Sequence, residues 1–470
     1  MNKKKNTSIS LIPPDFIQRT QSARPGFPLP SNVFAQGLPF DDTGWEDPYG
    51  FYLGDTPSFS SEVGTLIFNP YYKDGYRSSY DMFICGVKGS GKSTIIKYLI
   101  EQEASTKNKI RIIDVTGEFC NVVKNLKGVV IKFDAEGNNC ILNFMEILRM
   151  DDNDTQNYLM HITKLSNAYK LLKPDYTEEE IKVFTSILKK LYVKFGIIES
   201  ESTNRYENIT GLPSDRYPIF SDLVELLEDE INMLSSSQTV ESKYTVKLLI
   251  KVKITIRSLV KNYGTLFDAH TNIPDVMNAD IISYDISDLI SLEDSVLDMM
   301  LNSALSMAYD SCMDEGMRMK KLYDNNQINY EDIVHHTIIL DECHMAINVR
   351  KPFAIDRMRA IMKQDRKYFI GVYLATQNIA DMCRDGNSNA TTDMKTLFEE
   401  CQYKMIFRQD PGAIQYIENA FNSILTTRQI ESIPLFANRE AFLVLNPAQT
   451  IRFQTKEMSP TKLAYYGGGA

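Results

Sequence analysis

The sequence lacks an excess of basic residues. Its 470 residues include 51 Lys and Arg against 61 Asp and Glu, which gives a formal net charge of −10. A protein that coats nucleic acid is usually basic, so any contact with DNA must be local. Hydrophobic residues make up 43% of the chain and charged residues 24%. These ordinary values exclude a chain that is disordered or fibrous as a whole, and the length suggests about three domains.

Cysteines are few, and their spacing follows no metal-binding or disulfide pattern. The seven cysteines are scattered and form no Cys-x-x-Cys pair. A chain of this length does not need disulfides to hold its core together. We therefore predict reduced thiols in a cytosolic compartment, each of them a small buried hydrophobic residue.

Long apolar runs are also missing. A membrane-spanning helix needs roughly 18 apolar residues, whereas the longest candidates, 80–87 and 368–375, have the length of a strand. The first five residues are basic, but no apolar segment follows them, so we predict no signal peptide. We expect no intrinsic transmembrane segment, and we expect any membrane association to come through a partner.

Proline is concentrated near the beginning of the chain. Nine of the 18 prolines lie at or before Pro70, and proline disfavours helices and favours extended segments. We predict a Pro-rich arm or linker over 1–62, whose aromatic residues pack on the body or on a neighbour. The glycine-rich end predicts a flexible tail over 458–470.

The rest of the chain shows two further patterns of apolar residues. Strand-like apolar segments alternate with helical segments over 63–149 and again over 263–457, which predicts an α/β fold with a mostly parallel sheet and flanking helices. Between these parts, apolar residues recur every three to four positions. We therefore predict an all-helical insertion domain over 150–262.

A phosphate-binding loop lies between the second predicted strand and a helix. Residues 86–93 fit the pattern G-x-x-x-x-G-K-[ST] at every position. In such a loop the backbone N–H groups surround phosphate oxygens, and the helix adds the positive end of its dipole. Lys92 would reach the β- and γ-phosphates, and the Ser93 hydroxyl would bind Mg²⁺. The predicted nucleotide-binding residues are Gly86, Val87, Lys88, Gly89, Ser90, Gly91, Lys92, Ser93 and Thr94.

Two later strands end in polar residues of the types that hydrolysis needs. An apolar strand ends in Asp341 and Glu342, which would hold the metal through water and polarise the attacking water. A second strand ends in Gln377, which could sense the γ-phosphate. A solvated strand end and a polar loop residue are the plainer alternatives.

Arg366 and Glu118 are weaker candidates for catalysis. Arg366 could project into a neighbouring subunit as an arginine finger, although basic residues are also favoured at a helix end. Glu118 follows the strand after the phosphate loop and could position water or metal, or it could cap the next helix. His344, beside the acidic pair, is expected to be a packed residue.

Together these motifs resemble the VirB-type traffic ATPases of conjugative transfer and type IV secretion, within the HerA–FtsK superfamily of hexameric RecA-like motors. The resemblance rests on the phosphate loop and on the segments 113–119, 142–144, 340–342, 366–368 and 375–377. It implies a RecA-like P-loop NTPase core with an all-helical domain, and ATP and Mg²⁺ as cofactors. It also implies that Glu342, Lys92, Gln377, Arg366 and Glu118 act in catalysis and that Ser93 and Asp341 bind the metal.

The same resemblance implies an ATPase that powers assembly of, or transport through, a cell-envelope channel. The expected partners are further copies in a hexamer and inner-membrane channel proteins, and a DNA–relaxase substrate or coupling protein stays open. The expected location is cytoplasmic, at the inner face of the membrane. Family members usually carry a large N-terminal domain, so we expect the motor portion alone here. The tryptophan that often follows the acidic pair is missing.

Two other functions remain open. A DNA-pumping motor, such as a coupling protein or a HerA-like translocase, shares the core motifs but should have basic pore loops. The candidates for such loops, 3–5 and 318–321, are few. A nucleotide-gated scaffold with negligible hydrolysis is the remaining alternative.

Overall fold

The computed structural model describes residues 44–57, 64–134, 136, 140–148, 153–236, 239–272, 279–384 and 388–467. The predicted arm therefore lies largely outside the described residues. In this part of the chain, strands and helices alternate in the order expected for an α/β protein. None of the described helices is long and apolar enough to cross a membrane.

The strands are β1 (Trp45–Glu46), β2 (Phe51–Thr56), β3 (Gly64–Phe68), β4 (Met82–Cys85), β5 (Lys109–Asp114), β6 (Val129–Lys132), β7 (Ile281–Asp285), β8 (His336–Leu340), β9 (Ile370–Thr376), β10 (Tyr403–Phe407), β11 (Glu440–Asn446) and β12 (Gln449–Thr455). The helices are α1 (Lys92–Ser105), α2 (Cys120–Asn125), α3 (Asp154–Leu172), α4 (Glu178–Lys194), α5 (Phe220–Ser235), α6 (Val240–Phe267), α7 (Asp294–Asp324), α8 (Pro352–Asp365), α9 (Ile379–Cys383), α10 (Ser388–Glu400), α11 (Ile414–Phe421), α12 (Thr427–Ser432) and α13 (Pro460–Tyr465).

All twelve strands form one sheet in the order β1-β3-β2-β12-β11-β10-β4-β9-β8-β5-β7-β6. The seven strands from β10 to β6 are parallel, and β11, β12, β2 and β3 extend the sheet by antiparallel pairing. Most residues of the parallel strands are buried, and many of them are apolar, because helices cover both faces of the sheet. The carboxyl ends of β4, β9, β8 and β5 therefore meet at one edge of the sheet, where ligands bind in such folds.

Four consecutive helices, α3 to α6, occupy the predicted insertion. Side-chain caps mark where three of them begin, with Asn153, Thr177 and Thr239 each accepting a hydrogen bond from a first-turn N–H. The last helix, α6, continues to Phe267, past the predicted boundary at 262, and its backbone leaves helical geometry at Tyr263. The buried faces of these helices share one apolar core with the parallel sheet.

The two ends of the described chain are more regular than predicted, because both form secondary structure on the body. Residues 45–56, predicted as part of an arm, form β1 and β2, and β2 pairs with β12. Residues 460–465, predicted as part of a flexible tail, form α13 instead. Tyr466 is buried there, and its hydroxyl donates to Glu101 Oε2 at 2.7 Å, so this tail is packed against α1.

Candidate nucleotide site

The phosphate loop connects the end of β4 to the beginning of α1. Gly89 and Gly91 have φ angles of 77° and 103°, in a region that residues with a side chain rarely adopt. At Gly86 the constraint is space, since a Cβ there would lie 2.5 Å from the Ser90 Oγ. The Val87 N–H donates to the Arg408 carbonyl at 3.0 Å, which fixes the loop to the residue that follows β10.

Lys92 points from α1 to the acidic pair at the end of β8. Its Nζ lies 2.9 Å from Glu342 Oε1 and 3.5 Å from Asp341 Oδ1, and all three residues are buried. Burial alone would lower the pKa of Lys92, but the two carboxylates outweigh it and raise the pKa. The ammonium group is therefore held in its charged form, close to the place where phosphate oxygens would lie.

The two carboxyl groups have different environments. Burial raises the pKa of Asp341, against the opposing effect of Lys92, and the Thr116 hydroxyl donates to its Oδ2 at 3.0 Å. Burial would also raise the pKa of Glu342, but contacts with His344 and Lys92 lower it to about 2. Glu342 has a left-handed backbone, with φ 44°, and such strain in a non-glycine residue is typical of functional sites.

Gln377 follows the strand that lies between the acidic strand and the phosphate-loop strand. In the register of the sheet, Leu340 is opposite Leu374, and Cys85 is opposite Thr376. The Gln377 N–H donates to Glu342 Oε2 at 3.2 Å, while the residue itself is exposed. The structure thus brings the Gln377 backbone, Lys92 and Glu342 to one place, and the sensor role of the Gln377 side chain stays a prediction.

The loop fits a phosphate group by its own geometry. The Ser90 Oγ is buried and has no hydrogen-bond partner in the described part of the chain. The adjacent α1 has 14 residues and no acidic residue in its first turn, so its N-terminus favours an anion. Ser93 lies in that first turn, and Asp341 directly follows β8. A hydroxyl and a carboxylate are oxygen ligands of the kind Mg²⁺ prefers.

Glu118 lies at the same edge of the sheet but further from the loop. It is exposed in the turn after β5, and β5 is separated from β4 by β8 and β9. The buried carboxylate of this turn is Asp114, which accepts hydrogen bonds from the N–H groups of Gly117 and Phe119 at 2.7 and 2.9 Å. Asp114 therefore shapes the turn that carries Glu118.

Arg366 lies at the opposite edge. It begins the short helix 366–368 that precedes β9, whereas Gln377 follows β9. The seven residues of this strand span about 20 Å. Arg366 is exposed and therefore does not belong to the nucleotide site of its own subunit.

Three residues near the loop are missing from the sequence-based prediction. Arg439 has a left-handed backbone, with φ 70°, and its N–H donates to the Ser90 carbonyl at 2.8 Å. Gln409 is buried, and its Nε2 lies 3.4 Å from the Gln377 carbonyl. His344, expected to be a packed residue, has its Nδ1 3.2 Å from both Glu342 Oε2 and Thr376 Oγ1. No local motif marks Arg439 or Gln409, because only the sheet brings them to the loop.

Two solved proteins have a fold similar to that of this chain. VirB4 of Thermoanaerobacter pseudethanolicus superposes with a TM-score of 0.71 at 20% sequence identity, covering 89% of this chain and 99% of that chain. The bacterial conjugative coupling protein TrwB superposes with a TM-score of 0.51 at 10% identity, covering 81% of this chain and 85% of that one. TrwB has also been solved with a non-hydrolysable ATP analogue, and that structure has a TM-score of 0.50.

Among curated proteins, the uncharacterized protein pXO2-09 of Bacillus anthracis is 27% identical over 438 residues. The match covers 90% of this chain, and the chain spans 66% of the length of that relative. None of the protein-family models matches the chain. The resemblance stated from the sequence is confirmed at the level of the fold: the chain has the RecA-like α/β fold of the VirB4 and TrwB conjugation proteins.

Proposed function

We propose that the chain is an ATP hydrolase that powers conjugative transfer through a type IV secretion system. The observation that carries this proposal is the convergence of Lys92, Asp341 and Glu342 beside the phosphate loop, with contacts of 2.9 and 3.5 Å. A scaffold that only binds nucleotide needs the loop and the lysine. The strained, ionised Glu342 at the end of the strand is what hydrolysis needs in addition.

Each residue has a chemical task in this proposal. The N–H groups of 86–94 and the Lys92 ammonium bind the phosphates, and Ser93 and Asp341 hold Mg²⁺. When bound, Mg²⁺ would neutralise charge that develops on the phosphate oxygens. Glu342 orients the attacking water and accepts its proton, and Gln377 senses whether the γ-phosphate is present. The products are ADP and inorganic phosphate.

We further propose that the motor works as a homo-oligomer, a hexamer, in which Arg366 reaches the nucleotide site of the neighbouring subunit. The position of Arg366 at the edge opposite its own phosphate loop supports this role, because an exposed arginine there is accessible to another subunit. The proposed partners are inner-membrane channel proteins, and the proposed location is the cytoplasmic side of that membrane.

The second candidate is a DNA-pumping motor of the coupling-protein type. It is favoured by the fold shared with TrwB, which extends over 81% of the chain. In this alternative a DNA–relaxase complex would be the substrate, and DNA would stimulate hydrolysis.

The test is steady-state ATP turnover of the purified chain, with and without single- and double-stranded DNA. Glu342→Gln provides the blank. Glu207→Gln is the matched control, since it makes the same chemical change on an exposed loop of the insertion. Turnover that DNA does not change supports the secretion ATPase, and turnover that rises severalfold supports the DNA pump. Equal, negligible turnover of wild type and blank, with nucleotide still bound, contradicts both.

A further inference from the structure

The outer face of α6 combines cations with exposed apolar side chains, although the chain as a whole is acidic. Between Val240 and Phe267 there are six Lys and Arg residues and one acidic residue, Glu241. At 3.6 residues per turn, one arc of about 140° contains no carboxylate. We call this arc the α6 stripe; it comprises Val240, Lys243, Tyr244, Lys247, Ile250, Ile254, Arg257 and Lys261.

All residues of the α6 stripe are exposed. Val240 and Ile254 have 86% and 62% of their surface accessible, and Tyr244 has 55%. Single exposed apolar residues are common, but here they line one side of a helix about 30 Å long, up to the kink at Tyr263. The opposite face of the helix is buried against the insertion core through Leu249, Val252 and Ile256, so the stripe does not take part in folding.

The cations of the stripe are also largely unneutralised. Within the described ranges, no carboxylate lies at ion-pair distance from Lys243, Lys247 or Lys261, and Arg257 has only a 3.6 Å contact with Glu228. By contrast, Lys251, at the border of the stripe, pairs with the buried Glu180 at 2.7 Å. The helix thus pairs Lys251 and Lys253 with carboxylates of its own subunit and leaves Lys243, Lys247 and Lys261 facing solvent.

We propose that the α6 stripe binds the surface of an anionic phospholipid bilayer directly. Lysine and arginine would lie among the lipid phosphates, and Ile250, Ile254 and Tyr244 would enter the interfacial layer. A basic amphipathic helix with aliphatic and aromatic residues between its cations binds membranes in this manner, lying in the plane of the interface. This contact would add to any attachment through partner proteins.

The apolar residues of the α6 stripe distinguish a membrane from two other possible partners, duplex DNA and a coiled-coil helix. Duplex DNA offers phosphates to the lysines but no apolar surface to Ile250 and Ile254. A coiled-coil helix would need apolar residues at every a and d position, and the heptad that starts at Val240 places Lys247 and Lys261 at its a positions. A bilayer interface accommodates both halves, because lysine side chains extend from an apolar layer to the phosphates.

The experiment is co-sedimentation of the full chain with vesicles of phosphatidylcholine, with and without phosphatidylglycerol. The test variant is Lys243→Glu, Lys247→Glu, Lys261→Glu. The matched control reverses three exposed lysines elsewhere, Lys107→Glu, Lys124→Glu, Lys182→Glu. A second variant, Ile250→Ser, Ile254→Ser, removes the apolar part without changing the charge. ATP turnover of each variant verifies that the motor is folded.

We expect wild type and the control triple to bind only the anionic vesicles, more weakly at high salt. The stripe triple should bind at least about tenfold less, since each lost cation removes a contact with the anionic surface. The serine pair should also reduce binding severalfold. Equal binding by the stripe and control triples overturns the proposal. Absence of vesicle binding by wild type also overturns it. The same holds if wild type binds duplex DNA through the α6 stripe but does not bind vesicles.

Discussion

The Lys92 Nζ lies 2.9 Å from Glu342 Oε1, so the cation that would bind phosphate is paired with the carboxylate that would activate water. This contact is one reason why the pKa of Glu342 is held at about 2. A carboxylate with so low a pKa is a poor proton acceptor. When Lys92 moves to a phosphate, Glu342 loses this partner and its basicity rises, so the pairing would couple hydrolysis to the presence of nucleotide.

This pairing predicts that Glu342→Gln binds nucleotide more tightly while it hydrolyses more slowly. The phosphates no longer compete with a carboxylate for Lys92, and we expect roughly tenfold tighter binding, which corresponds to about 1.4 kcal/mol. Turnover should fall at least about a hundredfold. Calorimetric titration with a non-hydrolysable ATP analogue measures the affinity, and Glu207→Gln should match wild type. Weaker binding by Glu342→Gln would contradict the pairing.

His344 is predicted to position Glu342 for proton transfer. Its Nδ1 lies 3.2 Å from both Glu342 Oε2 and Thr376 Oγ1. Together with the Gln377 N–H, it still contacts Glu342 after Lys92 leaves. We expect His344→Ala to lower kcat roughly tenfold with KM unchanged. His344→Asn places an amide where the Nδ1 stands and should restore part of kcat. Equal kcat for wild type and His344→Ala would rule out this role.

Arg366 at the far edge of the sheet predicts complementation between inactive subunits. Arg366→Ala should reduce turnover about a thousandfold, as does the loss of an arginine finger, and Lys92→Ala should be inactive because it lacks the phosphate contact. Mixed in one oligomer, a Lys92→Ala subunit can still donate Arg366 to an intact site on an Arg366→Ala subunit. Turnover of the mixture should therefore recover. A mixture as inactive as its components, or a chain that stays monomeric with ATP, would exclude a finger in trans.

The N-terminal strands are predicted to depend on one buried ion pair. Arg77 Nη1 and Nη2 each lie 2.8 Å from a carboxylate oxygen of Asp47, and both residues are buried. Arg77→Leu leaves that carboxylate buried without its partner and should reduce the free energy of unfolding by about 3–5 kcal/mol. The exposed pair Lys320–Asp324 is the control, where Lys320→Ala should cost less than about 1 kcal/mol. Urea unfolding measures both.

Stability in acid is predicted to depend on His161 in the insertion. Burial lowers the pKa of His161 to about 3, and its Nε2 lies 2.6 Å from the Tyr192 hydroxyl. Between pH 3 and 6.5 the unfolded chain therefore binds a proton that the folded chain does not, so this group's contribution to stability falls as the pH falls.

His161→Gln keeps a partner for Tyr192 but does not titrate. Relative to the variant, wild type should gain about 1.4 kcal/mol of unfolding free energy per pH unit as the pH rises through this window. Unfolding measured at several pH values between 4 and 6 tests this slope, and parallel curves would contradict it.

The sequence predicts the α/β fold well because hydrophobic periodicity follows directly from burial. The predicted α/β fold with a mostly parallel sheet and flanking helices is confirmed. The prediction fails at the two ends of the described chain. Residues 45–56 form β1 and β2, which pair with β3, and β2 also pairs with the distant β12. Residues 460–465 form a helix, and Tyr466 just after it contacts Glu101.

The candidate site, too, could be predicted only in part. The phosphate loop, Asp341 and Glu342 each follow a strand, so a prediction of where the strands end also predicts where these residues lie. The contributions of Arg439 and of the Arg408 carbonyl depend on which strands are neighbours of β4. Strand order is not encoded in any local pattern, and these two residues therefore could not be found from the sequence alone.

The central position of β4 has a consequence for how the chain is synthesised. Its two neighbours in the sheet begin at Ile370 and Tyr403, although β4 itself ends at Cys85. A nascent chain therefore carries its phosphate loop through most of translation without the strands that hold it in place. Pairing between such distant segments is slow to form and leaves edges exposed in the meantime. Ribosome-bound chains that end before β10 should therefore be unable to bind nucleotide.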